Sequence, residues 1–217
     1  MNGNYNNYTL SPFQAKELLR KLEIDVTHCI KEIENITDDF FYKLAEGWED
    51  DNAIYFEKYV RERLHYLITR TLIPGYCKIA SHICCVANKY GKAGGRRINL
   101  TYNENISTSI LEKHILKSAF AGNEFGFVYI HAHKAAEEIS LYTESIRNSA
   151  EQFILDLRQT NAFGNSEIIM SMVNEGNIFF NKITFAMSDL SKRAKNMINY
   201  TEADYESIQA KVQWYYT

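Results

Sequence analysis

The stretch GWEDDNAIYF, residues 47–56, separates two long segments of helical periodicity and places a tryptophan in an acidic break. Before it, over residues 19–44, apolar residues recur in alternating steps of three and four, as one face of a helix requires. After it, a second apolar stripe begins at Ala53 and Phe56. A short polar break between two such segments predicts an antiparallel helical hairpin with Trp48 in its turn.

A second hairpin follows later in the chain. Helical periodicity extends over about 130–159 and from about 166 to 200 or beyond, with the break NAFGN at 161–165 between them. One hairpin alone would leave its apolar stripe in water, whereas two hairpins packed together bury it. The sequence therefore predicts an all-α fold, an elongated antiparallel four-helix bundle made of two long helical hairpins.

Proline and glycine mark the irregular points of the first hairpin. Ser11 and Pro12 form a helix start, with serine at the cap and proline at the first helical position, and the helix is expected to end near Gly47. The second helix, about 52–90, is interrupted by Ile-Pro-Gly at 73–75. Because proline removes a helix hydrogen bond and clashes with the preceding turn, we expect a kink or short break there.

The chain between the two hairpins differs from both of them in character. A cluster of helix-breaking glycines at 91–95 precedes an alternation of apolar and polar residues over 98–102, which predicts a short strand. Residues 107–121 are typical of a short capped helix, and 124–129 of a second short strand. The predicted domains are a first hairpin over 1–90, a small mixed α/β insertion over 91–129 and a second hairpin over 130–217.

Composition and charge exclude several classes of protein. The formal net charge of −3 over 217 residues gives no basic field for nucleic acid. No window approaches 18 consecutive apolar residues, so we expect no stable membrane insertion. The first residues lack a basic region followed by an apolar stretch, and the four cysteines form no Cys-x-x-Cys pair. These features predict a protein made in the cytoplasm with reduced thiols, and they leave export without a signal peptide open.

Catalytic and metal-binding patterns are weak throughout the sequence. His131 and His133 with Glu137 are the best metal candidates, but a binding set needs three or four convergent ligands, which favours a polar stripe at the start of a helix. No phosphate-binding loop, serine nucleophile elbow or dinucleotide fingerprint occurs. We therefore predict no enzyme, no metal and no cofactor, with an enzyme using the His131 region as the remaining alternative.

The turn of the first hairpin resembles the WXG family, the Esx-type substrates of type VII secretion. Their pattern is Trp-x-Gly in the turn, small residues just after it and an aromatic residue about eight positions on. Trp48, Ala53 and Phe56 match this pattern, whereas Asp50 occupies the glycine position. Aspartate is compatible with a turn. The resemblance implies that Trp48 is a recognition residue, and a hydrophobic plug at the end of the bundle is its alternative role.

The second hairpin supplies the other elements of the family pattern. If Ala162 is aligned with the tryptophan, Gly164 takes the glycine position and Phe163 supplies the aromatic ring. Further on, YTEAD matches the family's Tyr-x-x-x-Asp/Glu signal and places Tyr200 and Asp204 on one face of a helix. The resemblance implies that a secretion ATPase recognises this face together with the turn of the partner hairpin.

The resemblance implies a non-enzymatic type VII secretion substrate, or a helper protein that targets a toxin for secretion. Its partners would be the secretion ATPase, a cognate toxin or another Esx-like protein, and it would be secreted without a signal peptide. The alternative is a cytoplasmic adaptor or immunity-type protein that binds its partner through 91–129. The sequence leaves open whether the two hairpins pack on each other or on another chain, as in a homodimer.

Overall fold

The computed structural model describes residues 9–116 and 126–216 of the chain, and these residues are mostly helical. The all-α class is therefore confirmed. The elements in chain order are α1 (Pro12–Ala45), β1 (Trp48–Glu49), α2 (Asp51–Leu67), a π-helical segment (Ile68–Leu72), α3 (Ile73–Ala93), β2 (Gly126–Phe127), α4 (Tyr129–Arg158) and α5 (Ser166–Tyr216).

Of the kink or short break expected at Ile-Pro-Gly 73–75, the break does not form. Instead the chain stays helical from α2 into α3 through the π-helical segment, in which the Ile73 amide donates to the Ile68 carbonyl. A π-helical turn is wider than an α-helical one. The wider turn directly before Pro74 accommodates a residue that has no amide proton and whose ring would clash with a regular preceding turn.

The insertion between the hairpins is less regular than the sequence predicts. Residues 98–102 form no strand, and residues 107–116 form no helix beyond a turn at 110–112. The amides of Ser109, Ile115 and Leu116 donate instead to glutamate side chains of α1 and α2, which compete with regular backbone pairing. Of the second predicted strand, 126–127 forms β2, whereas 117–125 lies outside the described residues.

Two compact units make up the described chain, and each draws on both hairpins. Unit 1 comprises Met1–Lys31, Leu67–Thr108 and Ile146–Ile183; unit 2 comprises Glu32–Tyr66, Ser109–Ser145 and Thr184–Thr217. Each unit therefore contains residues of both predicted hairpins, 1–90 and 130–217, and of the predicted insertion, 91–129, and the division into these domains stays a prediction. Helices that bury their apolar stripes against the other hairpin share a core with it, so sequence neighbours and packing neighbours differ.

Aromatic side chains fill the core of unit 1. The ring centroids of Phe153 lie 5.5 Å from Phe179 and 5.2 Å from Phe180, both with edge-on geometry. Gly75 lets α3 approach this cluster, because a Cβ atom at that position would lie 2.6 Å from Cγ of Phe179. Since Phe179 is itself packed against two other rings, it has little room to move away.

We predict that Gly75→Ala destabilises the protein by about 1–3 kcal/mol, because the overpacking penalty exceeds the gain in helix propensity of roughly 1 kcal/mol. Urea unfolding followed by circular dichroism measures the change. Gly94→Ala is the matched control, because a Cβ atom there meets its nearest neighbour at 3.4 Å. Equal stabilities for the two variants would contradict the packing around Phe179.

Candidate functional site

The tryptophan of the first turn is part of the core of unit 2. Trp48 is 1% exposed and stacks on Phe56, with 5.7 Å between the ring centroids and 27° between the planes. Phe41 meets Phe56 edge-on at 6.0 Å, and Ala53 is also buried. A protein that docks on this turn therefore meets the exposed residues beside it, such as Asp51, rather than the indole ring.

Asp50, which stands at the glycine position of the family pattern, makes two hydrogen bonds. Its Oδ1 accepts from the Ala53 amide at 2.9 Å and so caps the start of α2. Its Oδ2 accepts from the hydroxyl of Tyr205 at 2.9 Å, which ties the last part of α5 to the turn. Burial and this carboxylate neighbour raise the pKa of Tyr205 to about 12. Aspartate here thus performs two tasks that glycine cannot.

In unit 2, a short extended segment directly before the second hairpin closes the first turn. Trp48 pairs with Phe127 and Glu49 with Gly126 in an antiparallel two-stranded ladder. The Val128 amide donates to the carbonyl of Gly47. Because β2 lies directly before α4, the first helix of the second hairpin begins against the turn of the first hairpin.

Unit 1 repeats this closure with the roles of the hairpins exchanged. Leu10 and Phe163 form an antiparallel bridge. The Ser11 amide donates to the carbonyl of Ala162, and the Gly164 amide donates to the carbonyl of Thr9, both at 2.9 Å. Here the segment directly before α1 closes the turn of the second hairpin. Each turn is therefore held by the residues that lead into the other hairpin.

The repeated pairing corrects the alignment of the two turns by one residue. Phe163, not Ala162, is equivalent to Trp48, since each pairs with the closing segment and each lies three residues before the next helix. In this alignment of the two turns, Gly164 corresponds to Glu49, and Asn165 corresponds to Asp50. The Oδ1 atom of Asn165 accepts from the Glu167 amide at 2.9 Å, so both turns use an aspartate or asparagine as a helix cap.

The Tyr-x-x-x-Asp motif lies on α5 in unit 2. Tyr200 is 69% exposed and Asp204 is exposed one turn further on, whereas Thr201 between them is buried. The next residue, Glu202, lies 2.6 Å from Nε2 of His133. In this part of α5, Tyr200 and Asp204 therefore lie on an outward face. The inward face contacts α4 through Glu202 and the first turn through Tyr205.

Of the predicted site residues, unit 2 contains Trp48, Ala53, Phe56, Tyr200 and Asp204, and unit 1 contains Phe163 and Gly164. Phe163 is as buried as the residues around Trp48. Gly164 is exposed but has no side chain. Among the other predicted site residues, all within the part of the chain that the structure describes, only Tyr200 and Asp204 have exposed side chains.

The histidines proposed as metal ligands make separate contacts. Nδ1 of His131 lies 3.6 Å from Glu46, while His133 contacts Glu202. In the described ranges, no group of three or more histidine, cysteine, aspartate or glutamate side chains is arranged to hold a metal ion. None of the helices in those ranges is both long and apolar enough to cross a membrane.

A buried ion-pair cluster of Asp38, Glu57 and Arg61, here called the Arg61 cluster, was not predicted from the sequence. Arg61 is 1% exposed; its Nε lies 2.8 Å from Glu57 and its Nη2 lies 2.9 Å from Asp38. Its guanidinium also lies 5.4 Å from the ring centroid of Phe41. The sequence contains one sign of this cluster, because Glu57 and Arg61 lie four residues apart beside the apolar stripe of α2.

Unit 1 contains a pair of neighbouring carboxyl groups, Asp25 on α1 and Asp156 on α4. Partial burial, followed by the charge and hydrogen bond of Asp156, raises the pKa of Asp25 to about 7. The positive charge of Lys21, whose Nζ lies 3.8 Å from Asp156, offsets only part of this rise in the pKa of Asp25. Because two like charges side by side are unfavourable, Asp25 keeps its proton to a higher pH than an isolated aspartate does.

Comparison with known proteins yields no relatives: no protein family, curated protein or solved structure matches the chain.

The Tyr205–Asp50 hydrogen bond is testable by a double-mutant cycle. We expect Tyr205→Phe to cost about 1 kcal/mol and Asp50→Ala about 2 kcal/mol, because the second change also removes a helix cap. The double variant should lose less than the sum, with a coupling of roughly 1 kcal/mol. Tyr200→Phe, on the exposed face, is the control. Strict additivity in urea unfolding would rule out the bond.

The carboxyl pair predicts a stability that falls as pH rises. Because the pKa of Asp25 is raised from 3.8 to about 7, the folded chain holds more protons than the unfolded chain between these values, so stability decreases across that window. Asp25→Asn should remove on the order of 1–2 kcal/mol of this decrease, since a half-exposed carboxyl feels only part of the burial penalty. Asp204→Asn is the control. Identical pH profiles for wild type and Asp25→Asn would contradict the pairing.

Proposed function

We propose that the chain is a non-enzymatic protein of type VII secretion, which is either exported itself or helps to target a toxin for export. One observation carries the proposal. The first turn and the Tyr200–Asp204 segment belong to different hairpins, yet the Tyr205–Asp50 hydrogen bond joins them in unit 2. This arrangement resembles the two-part signal of the WXG family, in which a turn and a Tyr-x-x-x-Asp face come from paired hairpins.

The proposal includes the four-helix bundle expected from the sequence. Its support is that four helices contribute segments to each unit: α1, α3, α4 and α5 to unit 1, and α1, α2, α4 and α5 to unit 2. In this proposal the second hairpin takes the place that a separate Esx-like partner has in the family. A single chain then carries both parts of the signal.

The proposed mechanism is docking without chemistry, so it requires neither an active site nor a cofactor. Tyr200 and Asp204 offer a phenol and a carboxylate on one exposed helix face, which a secretion ATPase would bind directly. Trp48 acts indirectly, because its buried ring holds the turn against which α5 is anchored. The protein would be made in the cytoplasm and exported without a signal peptide, alone or with a cognate toxin.

The second candidate function is a cytoplasmic adaptor or immunity-type protein that binds through 91–129. The observation in its favour is that part of this insertion, 109–116, is attached to α1 and α2 by polar contacts rather than by regular secondary structure. Such a segment presents side chains in a fixed arrangement, as binding loops do.

The export proposal predicts that Tyr200→Ala abolishes secretion while the chain remains folded, because an exposed side chain contributes little to stability. Immunoblots of culture supernatant and cell pellet measure export, and thermal unfolding of the purified variant checks the fold. Tyr55→Ala on α2 is the matched control, since Tyr55 is also 70% exposed. Normal secretion of a folded Tyr200→Ala variant would exclude this signal.

A further inference from the structure

Residues 96–103, here called the extended segment, run back along α3 in unit 1. The helix ends in a Schellman motif, in which the Arg96 amide donates to the carbonyl of Gly91 and Gly95 has a positive φ of 67°. This motif reverses the chain, so that Ile98 packs directly on Gly91. A Cβ atom added to Gly91 would lie 2.7 Å from Cγ1 of Ile98.

The backbone of this segment is close to fully extended. It has neither a turn nor a bend. Ile98 lies at Gly91, whereas the ring of Tyr102 meets that of Tyr76 edge-on, with 6.3 Å between the centroids. The helix from 76 to 91 spans roughly 22 Å, while four extended residues span about 13 Å. The two tyrosine side chains bridge the difference only if the chain between Ile98 and Tyr102 is extended.

Side chains of the extended segment alternate between two faces, as they do in a β-strand. The partly buried side chains are Ile98, Leu100 and Tyr102, and the exposed ones are Arg97, Asn99, Thr101 and Asn103. The alternation that predicted a strand at 98–102 is therefore present in the structure, but the segment has no strand partner.

The backbone of the extended segment is open to pairing. In the described ranges, no amide or carbonyl group of residues 97–103 forms a hydrogen bond with another backbone group. An extended chain with unpaired amides and carbonyls is a template for a further strand, because these groups already have the spacing of a ladder. The conformation therefore specifies an extended partner.

The charges around the segment specify the sign of that partner. Four exposed cations at its start have no ion-pair partner in the part of the chain that the structure describes, namely Lys89, Lys92, Arg96 and Arg97. They stand out in a chain whose formal net charge is −3. At the other end, Glu104 is exposed. The edge is thus positive where it begins and negative where it ends, which also specifies a direction for the partner.

We propose that the extended segment is a docking site for an extended, acidic segment of another protein, which adds to it as an antiparallel strand. Antiparallel ladders are the more stable per residue, and this direction places the C-terminal part of the incoming segment beside Arg96 and Arg97. We therefore expect acidic residues in that part, alternating with apolar residues that continue the face of Ile98 and Leu100.

This inference deepens the second candidate function, the adaptor that binds through 91–129, and it rests on that function for the biological partner. Tyr200 and Asp204 take no part in it. If a cytoplasmic partner binds equally to the wild-type chain and to the Arg96→Glu, Arg97→Glu variant, the adaptor function stands and the docking site is overturned.

Peptide binding to the full chain tests the site. The fluorescent, end-capped peptide Thr-Val-Thr-Val-Glu-Val-Glu should bind at least about fivefold more tightly than Glu-Val-Glu-Val-Thr-Val-Thr, which places the same charges beside Glu104. The Arg96→Glu, Arg97→Glu variant should lose this preference. Lys182→Glu, on exposed α5 surface of unit 1, is the matched control and should keep it. Absence of binding by the first peptide, or equal binding of the two, overturns the proposal.

Hydrogen exchange separates strand addition from charge attraction. Alternate amides of an extended chain point to opposite edges, so the first peptide should protect every second amide of residues 97–103 and leave those between unchanged. At about ten times its Kd, the protection should be roughly tenfold. Peptides N-methylated at all valines, or at all other residues, should differ, because only one set of amides faces the ladder. Protection without alternation, or equal binding of both methylated peptides, contradicts strand addition.

Two other occupants give distinguishable results. A single-stranded oligonucleotide that binds the four cations more tightly than the peptide, without alternating amide protection, would assign them to nucleic acid. Alternating protection that appears when the chain alone is concentrated would assign the edge to a second copy. Either result overturns the assignment to an acidic protein segment.

Discussion

The fold depends on the reciprocal closure of two hairpin turns. A helical hairpin leaves backbone amides and carbonyls of its turn without helical partners, and such groups need hydrogen bonds when they are buried. In this chain the carbonyls of Gly47 and Ala162 accept from Val128 and Ser11, the residues that lead into the opposite hairpin. Each hairpin therefore completes the other, which explains why both compact units contain residues from both.

Sequence periodicity predicted the helices well because the apolar stripes of α1, α4 and α5 are long and regular. It missed contacts that depend on tertiary pairing. Aligning Ala162 instead of Phe163 with Trp48 was an error of one residue, which arose because the equivalence is defined by the closing segments rather than by residue type. The Arg61 cluster was overlooked for the same reason, since a local sequence pattern does not reveal which side chains reach a backbone distant in sequence.

The turn residues and the signal residues of unit 2 have different physical roles. Trp48 and Phe56 stack in the core, and the carboxylate of Asp50 connects this core to Tyr205 on α5. Tyr200 lies on the opposite, exposed face of the same helix. In the proposed function, the departure from the family glycine strengthens the attachment of α5, while recognition is left to exposed side chains. Substitutions in the core and on the face should accordingly separate stability from partner binding.

Each of the two turns is closed by residues of the same chain, so neither turn needs a second copy for its closure. Light scattering coupled to size-exclusion chromatography tests this closure within one chain, because it measures mass independently of shape. At micromolar concentration we expect the mass of a single chain, 25.2 kDa. A stable species of about twice that mass, in which the closing segments of one copy pair with the turns of the other, would contradict closure within one chain.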